Sequence, residues 1–143
     1  MNPKPTYDDA ALILKLYEMR REERMRQARA WFTAKLKVKT YDEITKLAPG
    51  GSDENASFRM VTSYWDLVAS FITSGVLNKE LFFQSGRELL LVFERLREAL
   101  PGIREAYKDP NYLHHLETVG NDFASYWKKQ NTDAYEAFLK RIK

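Results

Sequence analysis

No cysteine occurs anywhere in the 143 residues, which rules out a disulfide framework, thiolate catalysis and any zinc site built on sulfur. Histidine is almost as scarce, with His114 and His115 as the sole pair. Neighbouring residues on a helix point about 100° apart, so these two cannot chelate one ion together. His114 and Glu117 do share a face, but two ligands fall short of the three a catalytic zinc needs. They also fall short of the doubled Glu-x-x-His segments of a di-iron bundle. No metal and no cofactor is expected from this ligand set.

Long apolar runs are missing as well. No window offers 18 uncharged apolar residues, and the opening "MNPKPTYDDA" lacks the basic start and apolar run of a secretory signal. A cytoplasmic protein is the expectation, with the inner membrane face as an alternative address for its basic segment. There is no Walker loop, dinucleotide fingerprint or Gly-x-Ser-x-Gly elbow. Neither Asn-Gly nor Asp-Gly hairpin turns nor sustained polar–apolar alternation occur, so no strand is expected.

Apolar residues instead recur at three and four residues, the period of a helix. The spacing predicts an all-α fold, a compact bundle of six or seven helices in one domain spanning 1–143. A long basic N-terminal helix occupies 1–39 and a helical core 40–143. Thr6 caps the first helix, which runs to about Lys39 and would be about 50 Å long at 1.5 Å per residue. Thr40 and Glu43 form a capping box for a short helix, and "APGGSD" interrupts the chain. Ser52 or Asp53 starts a helix reaching Ser74, closed by Gly75. Asn78 caps "KELFFQ". Ser85 and Glu88 supply a second capping box for "GRELLLVFERLREAL", stopped by Pro101 and Gly102. A turn of helix spans Ile103 to Tyr107. Asp109 and Pro110 open the next helix, and a last one follows Thr132 and Asp133.

The densest aromatic stretch, "YWDLVASFITSGVLNKELFF", belongs to a helix whose stripe is Phe58, Val61, Trp65, Val68 and Ile72, widened by Tyr64, Leu67 and Phe71. Asp66 falls on the opposite face, toward solvent or a polar neighbour. A second stripe holds Leu113, Leu116, Gly120, Phe123 and Trp127. Glycine inside it costs about 1 kcal/mol against alanine, and close approach of a ring or backbone is the simplest compensation. Core packing is therefore the reading of both stripes, with residues 89–100 and 135–142 completing the core. Glu94 with Arg97, Glu22 with Arg26 and Glu18 with Arg21 have the spacing of solvated helix-surface pairs rather than catalytic carboxylates.

Charge is distributed unevenly. Residues 1–40 carry ten Lys or Arg against five Asp or Glu, whereas the remainder carries thirteen against fifteen. Such asymmetry hints at an anionic partner. The segment "RREERMRQARAWFTAKLKVK" supplies the candidate interaction surface: Arg20, Arg21, Arg24, Arg26, Arg29, Trp31, Lys35, Lys37 and Lys39. These residues favour a non-enzymatic interaction or scaffold module whose first helix binds a protein partner or another copy of itself. Two alternatives use the same helix: an anionic membrane surface with Trp31 and Phe32 as anchors, or phosphate contact with nucleic acid. A different class, an enzyme or small-molecule binder, would use an aromatic pocket of Tyr64, Trp65, Tyr126 and Trp127.

The order "FRMVTSYWDLVASFITSGVLNKELFF", "LLLVFERLREALPGIREAY", "LHHLETVGNDFASYW" resembles a bacterial family of small helical proteins described as a domain of unknown function. The resemblance covers about residues 20 to 127. It implies an all-helical fold and assigns no activity or catalytic residue. Some members of that family resemble proteins with a membrane-spanning segment ahead of the domain, and here a charged helix stands in its place.

Overall fold

The computed structural model describes residues 3–143, and every regular element among them is helical. Nine helices are present, more than the six or seven expected: α1 Tyr7–Arg20, α2 Glu23–Lys35, α3 Tyr41–Leu47, α4 Asp53–Thr73, α5 Lys79–Phe83, α6 Arg87–Leu96, α7 Leu100–Tyr107, α8 His114–Gln130 and α9 Thr132–Ile142. The additional elements arise from chain breaks inside segments whose local sequence is continuous.

The largest departure is at the N-terminus. The expected single helix to Lys39 is two helices, and the second stops at Lys35. Burial explains the break. Leu16 must reach the core, and so must Met25, Ala28 and Phe32. At 100° per residue, Met25 lies half a turn from Leu16, so one straight helix would bury one set and expose the other. The chain turns at Glu22, whose ψ of 144° leaves the helical region. Its carboxylate then caps α2, accepting the N–H groups of Arg24 and Met25 at 3.0 Å each. Glu22 is thus a cap rather than the partner of Arg26.

α4 is the central element, packed between α2 and α8. α6 lies on α8 and α4, α9 on α8 and α6, and α3 on α7, while α1 rests at the edge against α2 and α5. Phe58, Val61, Trp65, Val68 and Ile72 are all buried, as their spacing predicts, but Leu67 is exposed and does not widen the stripe. Gly120 stands against Phe93: a Cβ there would come within 2.3 Å of the ring. The compensation for its helix penalty is this phenylalanine on α6.

Thr6, Thr40, Ser52 and Asn78 cap α1, α3, α4 and α5. Gly75 follows α4 with a φ of +78°, the left-handed geometry expected of it. Four other punctuation points differ. α6 ends at Leu96, and Pro101 and Gly102 do not stop it but lie in the first turn of α7, where proline's missing N–H costs nothing. Gly86, not Ser85, occupies the N-cap of α6, and Glu88 reaches across to Arg29. α8 starts at His114, not after Asp109, because Asp109 folds into a turn with Asn111 and Leu113 takes a φ of +55°. Asn131 rather than Thr132 caps α9.

Candidate interaction surface

α1 sends only part of its apolar surface inward. Leu16 is 3 % exposed, and its carbonyl accepts the Tyr64 hydroxyl of α4. Asp9 is also buried and fixes the helix start. Its Oδ2 accepts the Thr6 N–H at 2.8 Å, while Oδ1 accepts the Asn78 N–H at 2.8 Å from the loop before α5. These bonds, the Thr6 one foremost, hold the Asp9 carboxyl below its ordinary pKa. Asn78 Nδ2 adds a bond to the Pro3 carbonyl.

The other face is apolar and open. Tyr7 is 95 % exposed, Leu14 64 % and Tyr17 44 %, with Ala10 exposed between them. Their spacing of three, four and three residues confines them to an arc of about 80° on the helix surface. Leu14 and Tyr17 also form the lip of a groove of about 330 Å³ between α1, α4 and the α5–α6 junction. Trp65, Val68 and Phe82 are among its other walls. Trp65 is fully buried, and its Nε1–H has no hydrogen-bond acceptor.

The basic residues of the candidate surface divide into engaged and free. Arg29 forms a two-pronged ion pair with Glu88 at 2.7 and 2.9 Å and also donates to the Arg20 carbonyl at 2.9 Å. Its hydrogen bond with Glu88 raises the Arg29 pKa. Arg24 donates to Ser57 at 3.2 Å, and Arg20 lies over the Tyr17 and Trp65 rings. Trp31 is half-buried against the core. Arg26, Lys35, Lys37 and Lys39 are exposed, as is Arg21, whose guanidinium lies 5.4 Å from the centre of the Tyr17 ring; Lys37 and Lys39 sit in the segment after α2 rather than on a helix.

The four rings of the aromatic-pocket reading are not gathered around one space. Tyr64 and Trp65 meet edge to face, with Trp65 on the groove beside α1. Tyr126 packs on Phe83 and borders a separate groove on α5 and α8. Trp127 packs on Tyr135 and Phe138 beneath Arg87. Likewise His115 Nδ1 meets Thr73 Oγ1 at 2.7 Å, and Glu117 pairs with Arg104 at 3.1 Å.

Sequence reading missed Arg95. It is 8 % exposed and sits where α2 and α9 end. Nη1 donates to the carbonyls of Phe32, Thr33 and Leu36 at 3.2, 3.0 and 2.9 Å, and Nε donates to that of Ile142. A cation on two helix C-termini thus reaches the Thr33, Leu36 and Ile142 carbonyls beyond the helical ladder, and adds a second bond to the Phe32 carbonyl, which already accepts the Leu36 N–H. Desolvation lowers its pKa. Arg95 borders a groove of about 660 Å³ between α6, α8 and α9. Beside it, Glu94 accepts Arg97 at 2.5 and 3.1 Å and the Tyr135 hydroxyl at 2.7 Å. Burial and then the Glu94 bond raise the Tyr135 pKa, and burial pushes the Tyr112 phenol up to about 12. Both phenols therefore stay protonated at neutral pH. Glu94, Arg95 and Arg97 are thus spent on one another, on Tyr135 and Asn121 and on backbone, while Glu98, Glu136 and Lys143 also line the groove.

No helix among the described residues is long and apolar enough to cross a membrane. No curated protein and no solved structure matches the chain. One family model does match, over residues 5–123, a span that begins earlier than residue 20 and takes in all of α1. The chain belongs to the family described as Domain of unknown function (DUF4760).

Proposed function

We propose that this protein is a non-enzymatic helical interaction module that docks a protein partner through the outer face of α1. The carrying observation is the stripe Tyr7, Leu14 and Tyr17, three large apolar side chains left in solvent on one helix face. A helix that buries Leu16 and Asp9 on one side yet exposes this stripe on the other has the pattern of a docking face. The cationic readings have less support, because Arg20, Arg24 and Arg29 are occupied within the chain and Trp31 packs inward. The aromatic pocket has less as well, since its rings belong to separate environments.

Site-specific photo-crosslinking in cells tests the proposal. A benzophenone side chain at Leu14 is expected to give a discrete higher-mass protein adduct, and one at Glu136, exposed on α9, is not. Equal labelling at both positions, or none at Leu14, would remove the interaction reading.

A further inference from the structure

We infer that α1 is an exchangeable arm: at high concentration two copies of this chain trade their α1 helices, each seating on the other's core, with α1 and α2 joined as one straight helix over 7–35. The exchange does not use the outer stripe of Tyr7, Leu14 and Tyr17 and is separate from whatever docks there.

One backbone torsion makes the bend. Arg21 already has helical angles, with φ −89° and ψ −7°, and Glu22 has a helical φ of −57°. The departure is the Glu22 ψ of 144°. Neither proline nor glycine stands between Tyr7 and Lys35, so returning that ψ to about −42° continues α1 into α2 without a helix breaker.

The faces of that straight helix suit two cores. Asp9, Leu12 and Leu16 fall within about 60° of one another around the axis, and Met25 and Phe32 lie together on the opposite side. All five pack inward in the single chain. One core reaches both sets through a bend. Two cores reach them without it: the first set enters the partner's seat while the second stays in its own. The seat is unchanged, with the Tyr64 hydroxyl on the Leu16 carbonyl and the Asn78 N–H on Asp9 Oδ1, so the contacts of α1 re-form between chains. The bend is held by Glu22, on the N–H groups of Arg24 and Met25, and by Arg29, which donates to the Arg20 carbonyl. Straightening gives the Arg20 carbonyl the Arg24 N–H in exchange, the ordinary helical bond.

Two substitutions at exposed positions push the hinge in opposite directions. Glu23→Pro fits the bend, because Glu23 is the first residue of α2 and Glu22 already has the extended ψ preferred before proline. In the straight helix the same ring clashes with the Met19 carbonyl and breaks the ladder. Glu22→Ala removes the cap at the bend and favours a helix interior. After incubation at near-millimolar concentration, sedimentation of the unmodified chain is expected to show a dimer that dissociates slowly on dilution. Glu22→Ala should raise the dimerisation constant about tenfold. Glu23→Pro should lower it about 100-fold while leaving the monomer's helix content and melting temperature intact. In dimers assembled from isotope-labelled and unlabelled chains, nuclear Overhauser contacts between Leu16 and Tyr64 should cross from chain to chain. A strictly monomeric protein, Glu22→Ala included, would overturn the exchange. So would a dimer that Glu23→Pro leaves undiminished, or one whose Leu16–Tyr64 contacts stay within each chain.

Discussion

Asp66 Oδ1 accepts the backbone N–H of Leu116 at 2.9 Å, so a carboxylate on α4 caps a helix fifty residues further along. Leu113, the N-cap of α8, provides no capping side chain. The bond supplies the acceptor its first turn lacks and pins the start of α8 to the central helix. Asp66→Ala is expected to cost about 1 kcal/mol, read as a lower urea midpoint, with faster amide exchange confined to the first turn of α8.

Arg95 is expected to matter more. Removing its guanidinium strands carbonyls at the ends of both α2 and α9. Arg95→Met should lose about 3 kcal/mol in equilibrium unfolding. Arg95→Lys should recover little of that, since one ammonium cannot serve both helix ends as a planar fork does.

Two glycines make a paired test. Gly120→Ala places a methyl group against the Phe93 ring, and the resulting overpacking outweighs the gain in helix propensity, leaving a net loss of about 2 kcal/mol. Gly50 has nothing within 4 Å of a Cβ position and no positive φ. Gly50→Ala should therefore leave the melting temperature unchanged.

The attachment of α1 should fail in acid. Asp9 and Glu22 both have folded pKa values below their unfolded ones, through bonds to the N–H groups of Thr6 and Asn78 and of Arg24 and Met25 respectively. A depressed carboxyl contributes stability that is fully present above its unfolded pKa and lost as pH falls through the folded one. The window therefore lies below about pH 4. Amide exchange in α1 should rise there before that in α4, and Asp9→Asn should reduce the pH dependence of that early step.

Much of this was legible in the sequence because it is local. Thr6, Thr40, Ser52 and Asn78 cap where a hydrogen-bonding side chain precedes an apolar period, and the stripe from Phe58 to Ile72 is buried as its spacing requires. What escaped was set by partners distant in the chain. "MRREERM" contains nothing but good helix formers, yet the helix breaks there because Leu16 and Met25 must face one core from opposite sides of a straight rod. That offset was countable in the sequence. Glu88 has the spacing of a capping box but is claimed by Arg29, 59 residues earlier. Arg95 sits in "VFERLREAL" like any surface arginine, and nothing local marks the two helix ends that surround it. In the candidate surface, three of the five arginines were drawn inward by such long-range contacts, leaving the apolar stripe as the more conspicuous exposed feature.

Leu14 and Leu16 stand two residues apart on α1, one 64 % and the other 3 % exposed. Thermal and urea unfolding of Leu14→Ser and Leu16→Ser, at concentrations where the chain is monomeric, is the most direct test of whether α1 carries a docking face. Leu16→Ser is expected to cost about 3 kcal/mol and Leu14→Ser nothing measurable. Equal destabilisation by the two would mean that Leu14 is part of the core and that α1 has no free apolar face to offer.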